Sequence, residues 1–193
     1  MQLRRARLFF VSVLTLLAGC STPPPPPVSD SNAALVVVER ENEIELSVPA
    51  SRVILGLPKG AFVKARAVNV AATANPRYFV FEDQPARVIL SGWFEPAHRY
   101  ENVRTSWEAS VKGLARTRGG QPDAVFSKIG AWETGSYVMD IPSGPNTHMR
   151  AHLLQAGTWV ELHLSSSAAE RTSGEQLAAL TQVIRSIRVQ EKP

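Results

Sequence analysis

The chain has 193 residues, of which 44% are apolar, and this is enough for one domain with a substantial core. Its formal net charge is +4, but Arg4, Arg5 and Arg7 lie in a leading segment without acidic residues, and the remainder carries one net positive charge. A nearly neutral remainder lacks the basic patch that binds nucleic acid, so we exclude that partner. The single cysteine excludes a disulfide within the chain.

The leading segment has the pattern of a secretory signal. Residues 1–7 are basic, and residues 8–18 are apolar and uncharged. A transmembrane helix needs about 20 apolar residues, so this run is too short to span a bilayer. The prolines that follow cannot extend it as a helix.

The end of this segment resembles the lipobox of bacterial lipoproteins at all four positions. These positions are Leu17, Ala18, Gly19 and Cys20. The resemblance implies that residues 1–19 are a signal peptide, that Cys20 carries a diacylglyceryl group, and that its new amino group is acylated. We therefore expect Cys20 to be the lipidation site and the membrane to be one partner of the chain.

The residue after the cysteine indicates which membrane the lipoprotein is delivered to. Ser21 is not an aspartate, and the resemblance to sorted lipoproteins then implies delivery to the outer membrane, with the domain facing the periplasm. The outer leaflet of the inner membrane is the alternative. Residues 20–34 form the lipidated cysteine and a proline-rich linker, in which five prolines predict a polyproline II spacer of about 15 Å. Residues 35–193 are expected to form one globular domain.

Several segments of this domain have strand patterns. Ile44, Leu46 and Val48 alternate with polar residues, and an apolar run at 35–38 before them predicts a hairpin. Further strands are predicted at residues 52–57, 77–82, 87–94 and 132–141. Residues 62–70 are compatible with either a strand or a helix.

Two segments have helical spacing instead. The first has apolar residues at Tyr100, Val103, Trp107, Val111 and Leu114, and residues 115–125 after it are predicted to form a loop. In the second, Ser173 and Gln176 match a capping box, followed by an apolar stripe and a short final strand at 187–189.

Residues 148–165 predict a hairpin with a turn at 155–158, in which Leu154 faces Trp159. This register places six apolar residues on one face, which are Met149, Ala151, Leu153, Val160, Leu162 and Leu164. Arg150 then lies opposite His163, and His152 lies opposite Glu161, on the other face. A slip of one residue would mix the two faces, which supports this register.

The polar face of this hairpin is the best candidate for chemistry. His152, Glu161 and His163 could bind a divalent metal or pair an acid with a base. The alternative, which we favour, is a polar sheet face whose charge pairs each stabilise strand pairing by about 0.2–1 kcal/mol. Trp159 on this face is either covered by a helix or exposed as an anchor for a partner protein.

The overall pattern is α+β, with a mostly antiparallel sheet and two main helices. The early hairpin, the central antiparallel run and the closing helix that leads into residues 185–189 (RSIRV) resemble the PsbP-like fold, which includes the bacterial DcrB group. This resemblance implies an α/β/α sandwich and a role in assembly or partner binding, and no catalytic residue can be carried over from it.

No nucleotide, hydrolase, zinc or calcium motif occurs in the sequence, so we expect no cofactor. The sequence therefore predicts a non-enzymatic lipoprotein whose periplasmic domain binds an envelope protein. The alternative is a periplasmic metal-binding protein or enzyme that uses the His152, Glu161 and His163 face.

Overall fold

The computed structural model describes most of the domain as two antiparallel sheets and two α-helices. The described residues are 34–64, 75–118, 122–141, 144–167 and 170–192, with backbone only at 111–118 and 141. The strands are β1 (Val36–Glu39), β2 (Glu43–Ser47), β3 (Val53–Pro58), β4 (Phe62–Lys64), β5 (Phe79–Asp83), β6 (Val88–Pro96), β7 (Ala124–Ile129), β8 (Trp132–Ile141), β9 (Gly144–Gln155), β10 (Thr158–Ser166) and β11 (Arg188–Glu191). The helices are α1 (Val103–Arg118) and α2 (Ser173–Ser186).

The strands form a large and a small sheet. The large sheet has seven strands in the order β4-β5-β6-β10-β9-β8-β7, and the small sheet has four in the order β1-β2-β3-β11. Every strand pair is antiparallel. The prediction of an α+β fold with mostly antiparallel sheet and two helices is confirmed.

The main core lies between the two sheets and α2. Leu162 and Leu164 of the large sheet, Leu55 of the small sheet, and Leu180 of α2 belong to one buried apolar cluster. On the opposite face of the large sheet, Trp107 of α1 packs with Tyr137 and Phe126 in a second cluster. The two helices therefore cover opposite faces of the seven-stranded sheet.

The predicted register of the β9–β10 hairpin is confirmed. Trp159 lies opposite Leu154, and Glu161 lies opposite His152. Ala156 and Gly157 both have positive φ angles, of 47° and 75°, as a tight two-residue hairpin turn requires. All six residues of the predicted apolar face are buried in the main core.

The bounds of α1 differ from the prediction. The helix begins at Val103 and not at Tyr100, because the Asn102 side chain accepts a hydrogen bond from the Thr105 amide and so caps the first turn. The helix continues to Arg118, so the predicted loop is wrong for its first four residues. The structure describes only the backbone at Val111 and Leu114, so the predicted apolar stripe is not tested at these two residues.

Two other predictions need correction. The edge strand β7 was not predicted. It spans Ala124–Ile129, and the predicted loop at 115–125 includes its first two residues. The capping box of α2 uses Thr172 and Glu175 and not Ser173 and Gln176. Both pairs fit the sequence pattern, but Gln176 is buried and its side chain binds the Thr147 amide and the Pro145 carbonyl, so it is not available as a cap.

The remaining elements follow the sequence closely. The first hairpin is β1–β2, and the predicted strand at 132–141 is β8. Of the ambiguous residues 62–70, Phe62–Lys64 form β4, and the others lie outside the described residues. The final strand, predicted at 187–189, is β11 and spans Arg188–Glu191.

Candidate functional site

The polar face of the β9–β10 hairpin is buried. His152 is 1% exposed and Glu161 is 3% exposed, although both residue types are usually at the surface. The chain segment that precedes α1 lies over them, since the Glu101 carbonyl is 2.9 Å from His152 Nδ1. Because this carbonyl can only accept, Nδ1 carries the proton and donates it, which fixes the orientation of the ring.

An ion pair between the buried Glu161 and the partly buried Arg150 occupies the centre of this face. Arg150 Nη1 lies 2.6 Å from Glu161 Oε1, and His152 Nε2 lies 3.6 Å from the second carboxylate oxygen. The arginine neutralises the carboxylate, as a buried charge requires. The Glu161 carboxylate is therefore already bound within the protein.

Two histidines pair beside it. His148 Nδ1 and His163 Nε2 are 3.2 Å apart, and their rings are stacked at a centroid distance of 5.3 Å with an interplanar angle of 3°. Burial, together with the nearby His148 and Arg150, lowers the pKa of His163 to about 3. The His163 ring is therefore neutral at neutral pH.

Two tyrosines border the histidines and the ion pair. Tyr137 stacks on His148 at 5.0 Å, and burial raises its pKa, an effect that Arg150 partly offsets. The Tyr100 hydroxyl donates to Glu133 Oε2 at 2.7 Å, and burial followed by this contact raises the pKa of Tyr100 to about 12. Tyr100 is therefore a neutral donor, whereas the Tyr137 oxygen accepts from the Arg150 guanidinium.

Trp159 is covered and not exposed. It is 7% exposed, and the Tyr100 ring packs edge-on against it at 5.9 Å. Of the two alternatives for this side chain, the interpretation as an exposed anchor for a partner protein is wrong. The other alternative, cover by a helix, holds in part, because Tyr100 is the C-cap of a short 3-10 helix, Ala97–Arg99, that precedes α1.

The predicted site residues lie on one face but do not converge on one point. His152 is next to Glu161, whereas His163 pairs with His148. Within the part of the chain that the structure describes, no group of three or more His, Cys, Asp or Glu residues is arranged to hold a metal ion. Several of these groups pair with each other, whereas Arg150 Nε, His152 Nε2 and Trp159 Nε1 are buried without a hydrogen-bond partner among the described residues.

The sequence did not point to the tyrosines and Glu133 in this network. Tyr137 and Glu133 reach it through the pairing of β8 with β9, which joins Tyr137 to His148 and Glu133 to His152. That register depends on which strand neighbours β9, and no single segment encodes it. For Tyr100 there was a local signal: Asn102, two residues later, is a residue type that caps helices, which would place Tyr100 before the helix.

A cleft of about 750 Å³ separates the outer strand of the small sheet from the edge of the large one. Its walls are mostly apolar, with Val37 and Val63 on opposite sides and the Lys59–Glu39 ion pair, 3.0 Å long, among its lining residues. Phe62 and Phe79 in these walls are almost fully buried. The cleft is therefore a mostly apolar hollow with one ion pair in its wall.

The lipobox and the lipidation site at Cys20 fall within residues 1–33, outside the described residues. The first described strand begins at Val36, shortly after the predicted linker. Within the described ranges, no helix is both long enough and apolar enough to cross a bilayer.

Comparison with known proteins adds little. No family model matches the chain, and no curated protein matches it. Among solved structures, a matching chain from Bacteroides thetaiotaomicron is 10% identical with a TM-score of 0.40. The match covers 72% of this chain, and this chain spans less than half, 46%, of that one. This similarity is too low to assign a fold family or a function.

Proposed function

We propose that the protein is a lipid-anchored lipoprotein of the bacterial envelope whose domain binds an envelope protein and has no catalytic role. The chain would be held at the outer membrane by acyl groups on Cys20, with residues 35–193 facing the periplasm. Two or three acyl chains suffice for stable anchoring where one is marginal. The lipobox directly after a basic and an apolar segment is the observation that carries this proposal.

The geometry of the polar face argues against catalysis or metal binding at this face. His152 and Glu161 are buried, and Arg150 already neutralises the carboxylate. A catalytic or metal-binding group has to reach a substrate or an ion, and these groups contact each other instead. We therefore do not extend the proposal to metal binding or catalysis at this face.

We further propose that the domain has the PsbP-like α/β/α arrangement. Its support is the placement of α1 and α2 on opposite faces of the seven-stranded sheet. Fold likeness alone does not establish function, so the proposed partner binding rests on the anchor and on surface features.

A capture experiment in the native host tests partner binding. The tagged full chain would be crosslinked in intact cells and compared with a variant in which a cleavable secretory signal replaces residues 1–20, so that the domain is released unanchored. We expect one envelope protein to be enriched at least tenfold over an untagged control, and more strongly with the anchored chain. Equal recovery from tagged and untagged cells would contradict the proposal.

A further inference from the structure

The cleft beside β1 has the size and the lining of a ligand site. Its volume of about 750 Å³ lies within the range of about 300–1,000 Å³ that is typical of ligand pockets. Phe62, Phe79 and Phe81 are the almost fully buried aromatic residues of its lining. In the same lining, Val37 is 47% exposed and Val63 is 39% exposed. The apolar lining therefore continues from the core to the surface, and an occupant would bury apolar side chains that are exposed without it.

The rim of this cleft carries one cation and one anion. Lys59 Nζ lies 3.0 Å from Glu39 Oε2, and the two side chains are 41% and 68% exposed. An exposed ion pair of this kind contributes little to stability, so its two groups can exchange partners readily. The pair matches a headgroup that carries both charges, with a phosphate at Lys59 and an amine at Glu39.

The proposed anchor places this cleft close to lipid. Leu35 lines the cleft, and its amide is fixed by a 3.0 Å hydrogen bond to the Pro76 carbonyl. The chain between Cys20 and Leu35 spans at most about 50 Å when fully extended. With Cys20 in the bilayer, membrane phospholipids are the apolar molecules that the tether holds at high effective concentration near the cleft.

We propose that the cleft binds one acyl chain of a zwitterionic membrane phospholipid, whose headgroup lies at the Lys59–Glu39 pair. The chain covers Val37 and Val63, and its inner end contacts the buried aromatic rings. The acyl groups on Cys20 stay in the bilayer, so the occupant is a separate lipid. This site goes beyond partner binding, and it rests on the proposed function only because the anchor brings the cleft to the membrane.

A crosslinker in the cleft wall tests this inference. In the full chain in native cells, p-benzoylphenylalanine would replace Val63 and be photoactivated, and mass spectrometry would measure the mass added to the peptide that carries it. We expect the mass of a zwitterionic phospholipid, such as phosphatidylethanolamine. The yield should be at least tenfold above that of the same crosslinker at Val125, which is 69% exposed on β7 at the opposite edge of the large sheet.

Two neighbouring residues of β1 provide a matched pair of variants. Val37 lines the cleft, whereas the side chain of Val36, which is 40% exposed, points to the other face of the strand because side chains alternate. Val37→Trp fills the cleft, and Val36→Trp adds the same bulk outside it. We expect Val37→Trp to lower the lipid adduct at least fivefold and Val36→Trp less than twofold, with both unfolding temperatures within about 4 °C of the parent.

Four results would overturn the inference. They are no adduct at residue 63, an adduct that Val37→Trp leaves unchanged, an adduct to a protein, and a crosslink to the lipidated peptide of Cys20. Partner enrichment by the anchored chain without a lipid adduct at residue 63 would leave the proposed function standing and reject only the lipid site. A lipid adduct that Val37→Trp abolishes, without partner enrichment, would support the site and reject partner binding.

Discussion

At the scale of single residues, the ion pair of Arg150 with the buried Glu161 organises the polar face. The cost of desolvating the carboxylate is offset by its 2.6 Å contact with Arg150. A buried charge that loses its partner is far more costly than an exposed one, because no solvent replaces the lost interaction. The stability of the domain should therefore depend strongly on the Glu161 charge.

We expect Glu161→Gln to lower the free energy of unfolding by about 2 kcal/mol, because it removes the charged partner of Arg150, whose side chain is only 16% exposed. Urea denaturation of the variant measures this loss. Glu41→Gln is the matched control at an exposed position and should change stability by less than about 0.5 kcal/mol. Equal stabilities of the two variants would show that this ion pair does not stabilise the fold.

The histidine pair makes stability depend on pH. Burial, with His148 and Arg150 nearby, lowers the pKa of His163 to about 3 in the folded state, below the 6.5 of a solvent-exposed histidine. The unfolded chain therefore binds a proton that the folded chain does not bind between these two values. Stability is then lost as the pH falls from about 6.5 towards 3, with a slope of at most about 1.4 kcal/mol per pH unit from this residue.

Replacing the histidine should reduce that slope. We expect His163→Gln to lose less stability than the parent chain between pH 6.5 and pH 4, although it starts from a lower value because the contact with His148 changes. Denaturant titrations at several pH values provide the comparison, with His98→Gln at an exposed position as the control. A slope that is the same in the parent and in His163→Gln would contradict the assignment.

At the scale of elements, turns and alternation made the β9–β10 hairpin predictable, because one apolar face and one turn at 155–158 fix its register. The start of α1 was harder, since Tyr100 fits the helical spacing but packs on Trp159 instead. The strand β7 was not predicted because it lies at the edge of the sheet and none of its residues is fully buried, so its apolar pattern is weak. Pairing with β8 stabilises it as a strand.

The same limit applies to the candidate site. His152 and Glu161 were placed side by side from the hairpin alone, and the structure places them so. Their burial was not foreseeable, because it depends on Tyr100 and Glu101, which are about 50 residues away in the chain. Local patterns encode the neighbours within a hairpin, whereas its covering depends on how distant segments pack.

The cap of α2 provides a test at the same scale. Thr172 accepts from the Glu175 amide, and Glu175 reaches back to the Thr172 amide at 2.7 Å. We expect Thr172→Ala to cost about 1 kcal/mol of unfolding free energy and Ser173→Ala almost nothing. Thermal or urea unfolding separates the two variants. A larger loss of unfolding free energy for Ser173→Ala than for Thr172→Ala would contradict this assignment and favour Ser173 as the N-cap.

At the scale of the whole molecule, the first described residues lie near the β9–β10 turn, because the Leu35 amide donates to the Pro76 carbonyl and Arg77 lies 3.5 Å from Glu95, opposite Trp159. The starts of β7 and α2 lie at the opposite end of the large sheet. A lipid anchor on Cys20, as proposed, would therefore place this opposite end away from the membrane.

Metabolic labelling with palmitate tests the anchoring of Cys20, on which this whole-molecule account depends, most directly. The full chain, expressed in its native host, should incorporate the label, and mass spectrometry of its N-terminal peptide should find the lipid on Cys20. Cys20→Ser should lose the label, whereas Ser21→Ala, next to it, should retain it. Label that persists in Cys20→Ser, or a parent chain that incorporates none, would contradict the account.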